Sequence, residues 1–253
     1  MNDVLLEIVI LTYENSSCLE VLLNSIEHEY RMKVTVLDNS DQTSDIMNVC
    51  AGRNNIRYVK NKYNIGTGNI LRAFEIAENS EYVWVVGCCN SFLTGGIKNI
   101  CDILERDRPI TLLHLENRLY RNPNTKNETI YQDWETLLIE HSYSVACSIN
   151  SIIWKTKISA KLLPVGYDSL TSMCPHAGML FNGLKDRIVE VSFYPICVFN
   201  RHDRKRKWSM KQYIRWIQCI FPYTDKVSQE HRDKLIKFLH FTDRWIFDLI
   251  NED

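Results

Sequence analysis

The chain has 253 residues, 45% of them hydrophobic and 24% charged, with a net charge of −1. That suits one large α/β domain with at most a helical appendage. Near-neutrality excludes a chain-wide nucleic-acid footprint, and no apolar stretch approaches the roughly 18 to 20 residues that span a bilayer.

An apolar, β-rich run over 5–11 predicts a buried strand. Leu19, Leu22, Leu23 and Ile26 follow at helical spacing, with Ser16 or Ser17 as the expected N-cap. A second strand over 33–37 stops at Asp38-Asn39-Ser40-Asp41, and a short helix over 44–50 leads to a third strand over 56–59. The loop 61–68 precedes a helix over 69–78, and the fourth strand covers 82–86. Strands alternating with helices predict βαβ units and a mainly parallel sheet. Ligands of such sheets bind beyond the carboxyl ends of the strands. Three polar clusters fall there, at Thr12-Tyr13-Glu14, at Asp38-Asn39-Ser40 and at 87–90, and should converge on one crevice.

The second half is less regular. A strand is expected over 110–115, a polar loop over 118–129, and helices over 131–140 and 169–184. Strand-like runs cover 187–193 and 196–199, and amphipathic helices are expected over 210–221 and 228–250. Residues 1–200 read as one domain, and 201–253 as a basic, aromatic helical extension packed on it. The N-terminus lacks a basic n-region, so no secretory signal is expected. Nine cysteines, at 18, 50, 88, 89, 101, 147, 174, 197 and 219, include no Cys-x-x-Cys pair. They read as buried thiols of a cytoplasmic protein, neither a disulfide framework nor a zinc site.

Four features in order carry a resemblance. The first strand ends in Leu11-Thr12-Tyr13-Glu14, and the second in Leu37-Asp38-Asn39-Ser40. Residues 61–66 read Asn-x-x-Asn-x-Gly, and the fourth strand runs through Trp84 to Gly87-Cys88-Cys89-Asn90. Residues 5–100 thereby resemble the family 2 glycosyltransferases. The Trp-x-x-Gly frame is similar to the abequosyltransferase-like branch, where it continues into three aspartates. The resemblance fades after about residue 115. It implies a GT-A-like α/β fold with a mainly parallel sheet flanked by helices and a C-terminal helical extension. It also implies sugar transfer from a nucleoside-diphosphate sugar, of uridine or thymidine type, to a glycan or lipid-linked acceptor. Inversion at the anomeric carbon and a role in bacterial polysaccharide assembly go with it. The competing expectations are a pseudoenzyme that keeps the fold and binds a glycan or partner without turnover, and a nucleotide-binding α/β enzyme of another kind, such as a nucleotidyltransferase, which the lack of a lysine-bearing phosphate loop after the first strand disfavours.

The resemblance makes Asp38 a contact of the nucleotide base, with Asn39 also in the nucleotide site, and a carboxylate at a strand end can accept the N3–H of uracil or thymine. Asp-Asn-Ser-Asp equally favours Asx-turns without a ligand. Tyr13 can cover the base, Thr12 can supply a hydroxyl and Glu14 can bond the nucleoside; the other reading is a helix-capping turn. Asn64 and Gly66 begin a loop whose backbone can approach an anion, and Arg72 can reach a diphosphate. An ordinary strand-to-helix turn is the alternative.

In the family the position of Cys88-Cys89-Asn90 holds Mg²⁺ or Mn²⁺ through aspartates. Two thiols and one amide suit such hard ions poorly. Three readings are open: cationic side chains replace the metal, Asn90 and the diphosphate hold it weakly, or the chain is inactive. Cys88 and Asn90 are expected to contact the nucleotide in any active form. The family's general base lies further along, with His176 and Asp168 as candidates. Arg201, His202, Arg204 and Arg206 open a basic run interleaved with Trp208, Tyr213 and Trp216. It suits a peripheral membrane contact or a lipid-diphosphate acceptor, or a clamp on the donor diphosphate, or a solvated face. No nucleic-acid partner is expected.

Overall fold

The computed structural model describes residues 4–41, 45–77, 79–106, 112–115, 129–131, 149–171, 174–183, 191–194, 199–201 and 229. In chain order the elements are β1 (Val4–Thr12), α1 (Ser16–Asn24), β2 (Met32–Asp38), α2 (Ile46–Cys50), β3 (Ile56–Lys60) and α3 (Gly68–Ile76). They continue with β4 (Ser80–Gly87), β5 (Asn90–Phe92), α4 (Gly96–Leu104), β6 (Leu112–Leu115), β7 (Thr129–Tyr131) and β8 (Ile152–Lys155). Then come α5 (Thr156–Asp168), α6 (Pro175–Gly183), β9 (Val191–Tyr194) and β10 (Phe199–Arg201).

Eight strands form one sheet in the order β3-β2-β1-β4-β8-β6-β9-β7. The first four are mutually parallel, β8 is antiparallel to both its neighbours, β9 is parallel to β6, and β7 is antiparallel to β9. The mainly parallel sheet flanked by helices is the architecture expected. Strand alternation sends β1 side chains to two cores. Leu6, Ile8 and Ile10 meet α1, α2 and α4 through Leu19, Leu22, Ile46 and Ile100. On the other face Val9, Val83 and Val85 meet α3, α5 and α6 through Leu71, Phe74, Leu162 and Met179.

Several boundaries differ from expectation. The N-cap of α1 is Asn15, whose Oδ1 accepts the Cys18 N–H at 3.2 Å, and not Ser16 or Ser17, which already lie inside the helix. Tyr131 ends strand β7 where a helix was expected to begin, and residues 132–140 lie outside the described set. The helix expected over 169–184 starts only at Pro175, whose fixed φ suits a first helical position. The α5 helix was not expected at all, since it carries Pro164 in its interior. Its Gly166 is explained by a close approach: a Cβ there would lie 2.6 Å from Leu71 Cδ2 and 3.1 Å from Met179. A Cβ on Gly183 would lie 2.5 Å from Leu162, so α5 and α6 pack antiparallel. Their connected ends meet the start of α3, where Thr67 Oγ1 donates to the Leu170 carbonyl at 3.3 Å.

The expected helices over 210–221 and 228–250 lie outside the described residues, as does the extension after Arg201 apart from Gln229. Among the described residues no helix is long and apolar enough to cross a membrane.

Candidate functional site

Strand register brings the three polar clusters to one end of the sheet. Thr12 stands opposite Asp38, and Leu11 opposite Gly87. The Asn39 N–H donates to the Thr12 carbonyl and the Cys88 N–H to the Leu11 carbonyl, each at 3.0 Å. Thr12 is 3% exposed, and its hydroxyl has no hydrogen-bond partner among the described residues. Tyr13 is half-buried and donates its hydroxyl to Asp41 Oδ2 at 3.2 Å. Glu14 is exposed and holds φ at 50°, while its N–H donates to Ser40 Oγ at 2.9 Å. A left-handed conformation costs a non-glycine residue roughly 1–2 kcal/mol. Such strain collects at ligand sites.

Asp38 is wholly engaged within the protein. It is 0% exposed. One carboxylate oxygen accepts the Ser40 N–H at 2.9 Å and the Ser40 hydroxyl at 2.6 Å. The other accepts the Tyr58 hydroxyl at 2.8 Å and lies 3.3 Å from Lys60 Nζ, which also donates to the Ser40 carbonyl. Burial pushes the carboxyl pKa up, but the Ser40 donors, Tyr58 and the Lys60 ammonium outweigh it and hold Asp38 below its ordinary value. The Asx-turn reading therefore describes this residue, and the expected bond to a base N–H has no open lone pair in this arrangement. Tyr58 and Lys60 carried no motif signal in the sequence.

Asparagines tie the loop after β3 to the loop after β2. Asn39 Nδ2 donates to Asn64 Oδ1 at 2.8 Å, and Asn39 Oδ1 accepts from Asn61 Nδ2 at 2.9 Å and from the Ile65 N–H at 3.0 Å. Asn61 Nδ2 also reaches Asn69 Oδ1 at 2.7 Å. Asn39 is thus a buried structural amide. The Gly66 N–H donates to Asn64 Oδ1 at 2.9 Å, and its φ of 56° favours glycine. The N–H groups of Gly68, Asn69 and Ile70 close turns onto Ile65, Gly66 and Thr67, so the loop is an ordinary strand-to-helix turn and not an anion cradle. Arg72 is paired with Glu75 at 2.8 Å, and Tyr167 donates its hydroxyl to that same carboxylate from α5. The expected reach of Arg72 to a diphosphate would require leaving this pair.

At the end of β4, Asn150 accepts the Gly87 N–H at 2.7 Å through Oδ1 and the Trp84 indole N–H at 2.7 Å through its carbonyl. No motif in the sequence singles out Asn150. Cys88 is buried, Cys89 is half-buried with its sulfur 3.4 Å from Asn15 Nδ2, and the two sulfurs stand 4.0 Å apart. Asn90 is 5% exposed and spends its Nδ2 on the Gly87 carbonyl at 2.7 Å. Two thiols and a buried amide do not fit Mg²⁺ or Mn²⁺, and the nearby Asp38 carboxylate is already occupied. Among the described residues no three His, Cys, Asp or Glu side chains are grouped to hold a metal. The backbone of β5 pairs antiparallel with β10, and Arg201 stands opposite Asn90 in that register. His202, Arg204 and Arg206 lie outside the described residues.

The two candidate bases lie at the same end of the molecule but in different environments. Asp168 is the last residue of α5 and is exposed. His176, one residue into α6, is 2% exposed, and neither ring nitrogen has a partner among the described residues. Burial pushes its pKa down to about 4. A neutral, enclosed imidazole is poorly placed to take a proton from an acceptor hydroxyl. It does give stability a pH dependence. Above pH 6.5 the imidazole is neutral in both states; as pH falls towards 4 the unfolded chain takes up the proton first, and stability drops. Between pH 6.5 and 5 the loss should be about 2 kcal/mol. Urea unfolding across that range checks this: the wild-type slope should flatten in His176→Leu, and identical profiles would refute it.

No protein-family model matches this sequence, and no curated protein matches it. Solved structures do. The S. aureus protein TarS (residues 1–349) is 15% identical, with a TM-score of 0.60 over 94% of this chain and 72% of that one. Its complex with UDP is 16% identical with a TM-score of 0.61 over the same shares, and it has also been solved with UDP-GlcNAc. The mannosyltransferase PcManGT from Pyrobaculum calidifontis, in complex with GDP-Man and Mn²⁺, is 15% identical with a TM-score of 0.58, over 87% of this chain and 63% of that one. The fold is GT-A-like.

Proposed function

We propose that the protein is a glycosyltransferase that takes a sugar from a nucleoside-diphosphate donor, of uridine or thymidine type, and passes it with inversion to a glycan or lipid-linked acceptor. The observation that carries this reading is the convergence of polar residues at the carboxyl ends of β1, β2 and β4, where Thr12, Tyr13 and the strained Glu14 meet the Asp38–Asp41 turn. Structures of the same fold that hold UDP, UDP-GlcNAc and GDP-Man support it.

In the reaction an acceptor hydroxyl oxygen bonds to the anomeric carbon. The bond to the diphosphate oxygen breaks, and its electron pair leaves with the diphosphate. Asp168, exposed at the end of α5, is the proposed group that takes the hydroxyl proton. The departing charge needs a positive partner. Since the residues at 88–90 do not fit a hard cation, that role goes to Arg201, His202, Arg204 and Arg206. The pairing of Arg201 with Asn90 supports this, because it places the first residue of the basic run beside the altered motif. The same run suits the headgroup of a lipid-linked acceptor at the inner face of a bacterial membrane.

The Cys88-Cys89-Asn90 frame favours one second reading, a GT-A-like pseudoenzyme that binds without turnover. A thermal-shift screen against nucleotide sugars tests the donor site. A ligand at 100 times its Kd stabilises by roughly 2.7 kcal/mol, and release of nucleoside diphosphate from the hit then separates enzyme from pseudoenzyme. A screen with no shift for any nucleotide sugar would refute the donor site.

A further inference from the structure

We infer that the Cys88-Cys89 turn is a redox-active dithiol that closes to a disulfide and thereby controls the donor site. The control of that site rests on the donor-site reading above; the thiol chemistry stands on its own residues. The two cysteines form the turn between Gly87, which ends β4, and Asn90, which begins β5, and their sulfurs stand 4.0 Å apart. Cys88 is buried, whereas Cys89 is half-buried and within reach of a small reagent. The Cys89 sulfur accepts from Asn15 Nδ2 at 3.4 Å, and Asn15 is the N-cap of α1. A donated N–H and a helix N-terminus both favour a thiolate, the form that attacks a disulfide. Cys50 and Cys101 have the opposite setting. Burial pushes their thiols up to about 11 and about 12, which keeps them protonated and unreactive.

The co-reactant is a low-molecular-weight disulfide of the glutathione class. The Cys89 thiolate attacks one of its sulfurs, the S–S bond breaks, and one reagent thiol leaves. Cys88 then gives up its proton and attacks the Cys89 sulfur, and the second reagent thiol leaves. Two electrons pass to the reagent, the two cysteine protons end on the two released thiols, and a Cys88–Cys89 disulfide remains. Neighbouring Cα atoms lie about 3.8 Å apart across a trans peptide, less than the roughly 4.4–6.8 Å that disulfides usually span. Such a bond is readily reduced again, the character of a regulatory disulfide rather than a structural one. The same turn holds the loop after β1 at both ends. The Cys88 N–H donates to the Leu11 carbonyl at 3.0 Å, and Cys89 meets Asn15. Thr12, Tyr13 and Glu14 lie between those two points. The sulfurs must close from 4.0 Å to about 2.05 Å, which draws Cys89 off Asn15 and releases one end of the loop that lines the donor site.

Treatment of the full chain with oxidised glutathione, followed by alkylation, tryptic digestion and mass spectrometry, tests the dithiol. The fragment 73–98 contains Cys88 and Cys89 and no other cysteine. In the wild type it should lose two hydrogens, take no alkyl group and carry no glutathione, and dithiothreitol should reverse this. Cys88→Ser should stop at a glutathione adduct on Cys89. Asn15→Ala should slow the reaction about threefold to tenfold, the worth of one hydrogen bond. Circular dichroism checks that each chain is folded. Calorimetric titration of UDP into the reduced and the oxidised protein tests the control. Affinity should fall at least about tenfold on oxidation and return with dithiothreitol. The double variant Cys88→Ser, Cys89→Ser, which cannot close, should bind UDP alike before and after treatment. A wild-type fragment that keeps two alkylatable thiols, or a glutathione adduct that is never resolved, would overturn the dithiol. Equal UDP affinity in both states would overturn the control, as would a double variant that loses affinity on treatment. Failure of the reduced wild type to bind UDP would overturn the donor-site reading and the control with it, while the mass of fragment 73–98 still decides the dithiol.

Discussion

Replacing Asp168 by alanine should lower turnover by about two to four orders of magnitude, the usual contribution of a general base. Donor affinity should not change, because the base acts on the acceptor hydroxyl. Stability should hold or rise slightly. Asp168 ends α5, where the negative end of the helix dipole disfavours an acid by roughly 0.3–1 kcal/mol. Single-turnover kinetics and urea unfolding on the same variant separate the two effects. Full activity in Asp168→Ala would remove it from the chemistry, and a large loss of stability would mark it as structural.

Asp38→Ala should behave in the opposite way. It leaves the buried Ser40 and the half-buried Tyr58 without the carboxylate they share, and losing hydrogen bonds to a charged group costs roughly 1.5 to 3 kcal/mol, while the partly exposed Lys60 can turn to water. The loss should appear at neutral pH. Because the folded-state pKa of Asp38 lies below its ordinary value, its stabilising contribution is present above about pH 4 and is lost as pH falls through the folded value. Urea unfolding of the variant at pH 7 measures the loss. A variant as stable as the wild type but unable to bind nucleotide would return Asp38 to the base pocket and contradict the turn reading.

The contrast between those two aspartates shows what a sequence can carry. The order of β1, α1, β2, β3, α3 and β4 follows from hydrophobic period and turn chemistry, both local, so the first half could be read in advance. The convergence of the three polar clusters at one end of the sheet follows as well, since it is a property of parallel topology. Lone-pair occupancy is not local: Asp38 is closed by Tyr58 and Lys60, about twenty residues away on β3, and no motif announces that pairing. His176 follows the same logic. Its spacing suits a base, yet the fold leaves it 2% exposed, which no local pattern announces. The α5 helix was hidden because Pro164 and Gly166 look like breakers, whereas Gly166 is the point of contact that lets three helices meet.

The altered strand end at Cys88-Cys89-Asn90 bears most directly on how such a protein could work. A bound cation can contribute several kcal/mol at a leaving group's developing charge, so an active enzyme without it needs fixed positive groups in its place. Titration of UDP into the full chain in EDTA, then in excess Mg²⁺ or Mn²⁺, tests this, with Arg201→Ala, Arg204→Ala and Arg206→Ala alongside. Affinity should change by less than about tenfold between EDTA and metal, under 1.4 kcal/mol, and should fall in the arginine variants. Binding that appears only with Mg²⁺ or Mn²⁺ and is indifferent to the arginines would contradict the account.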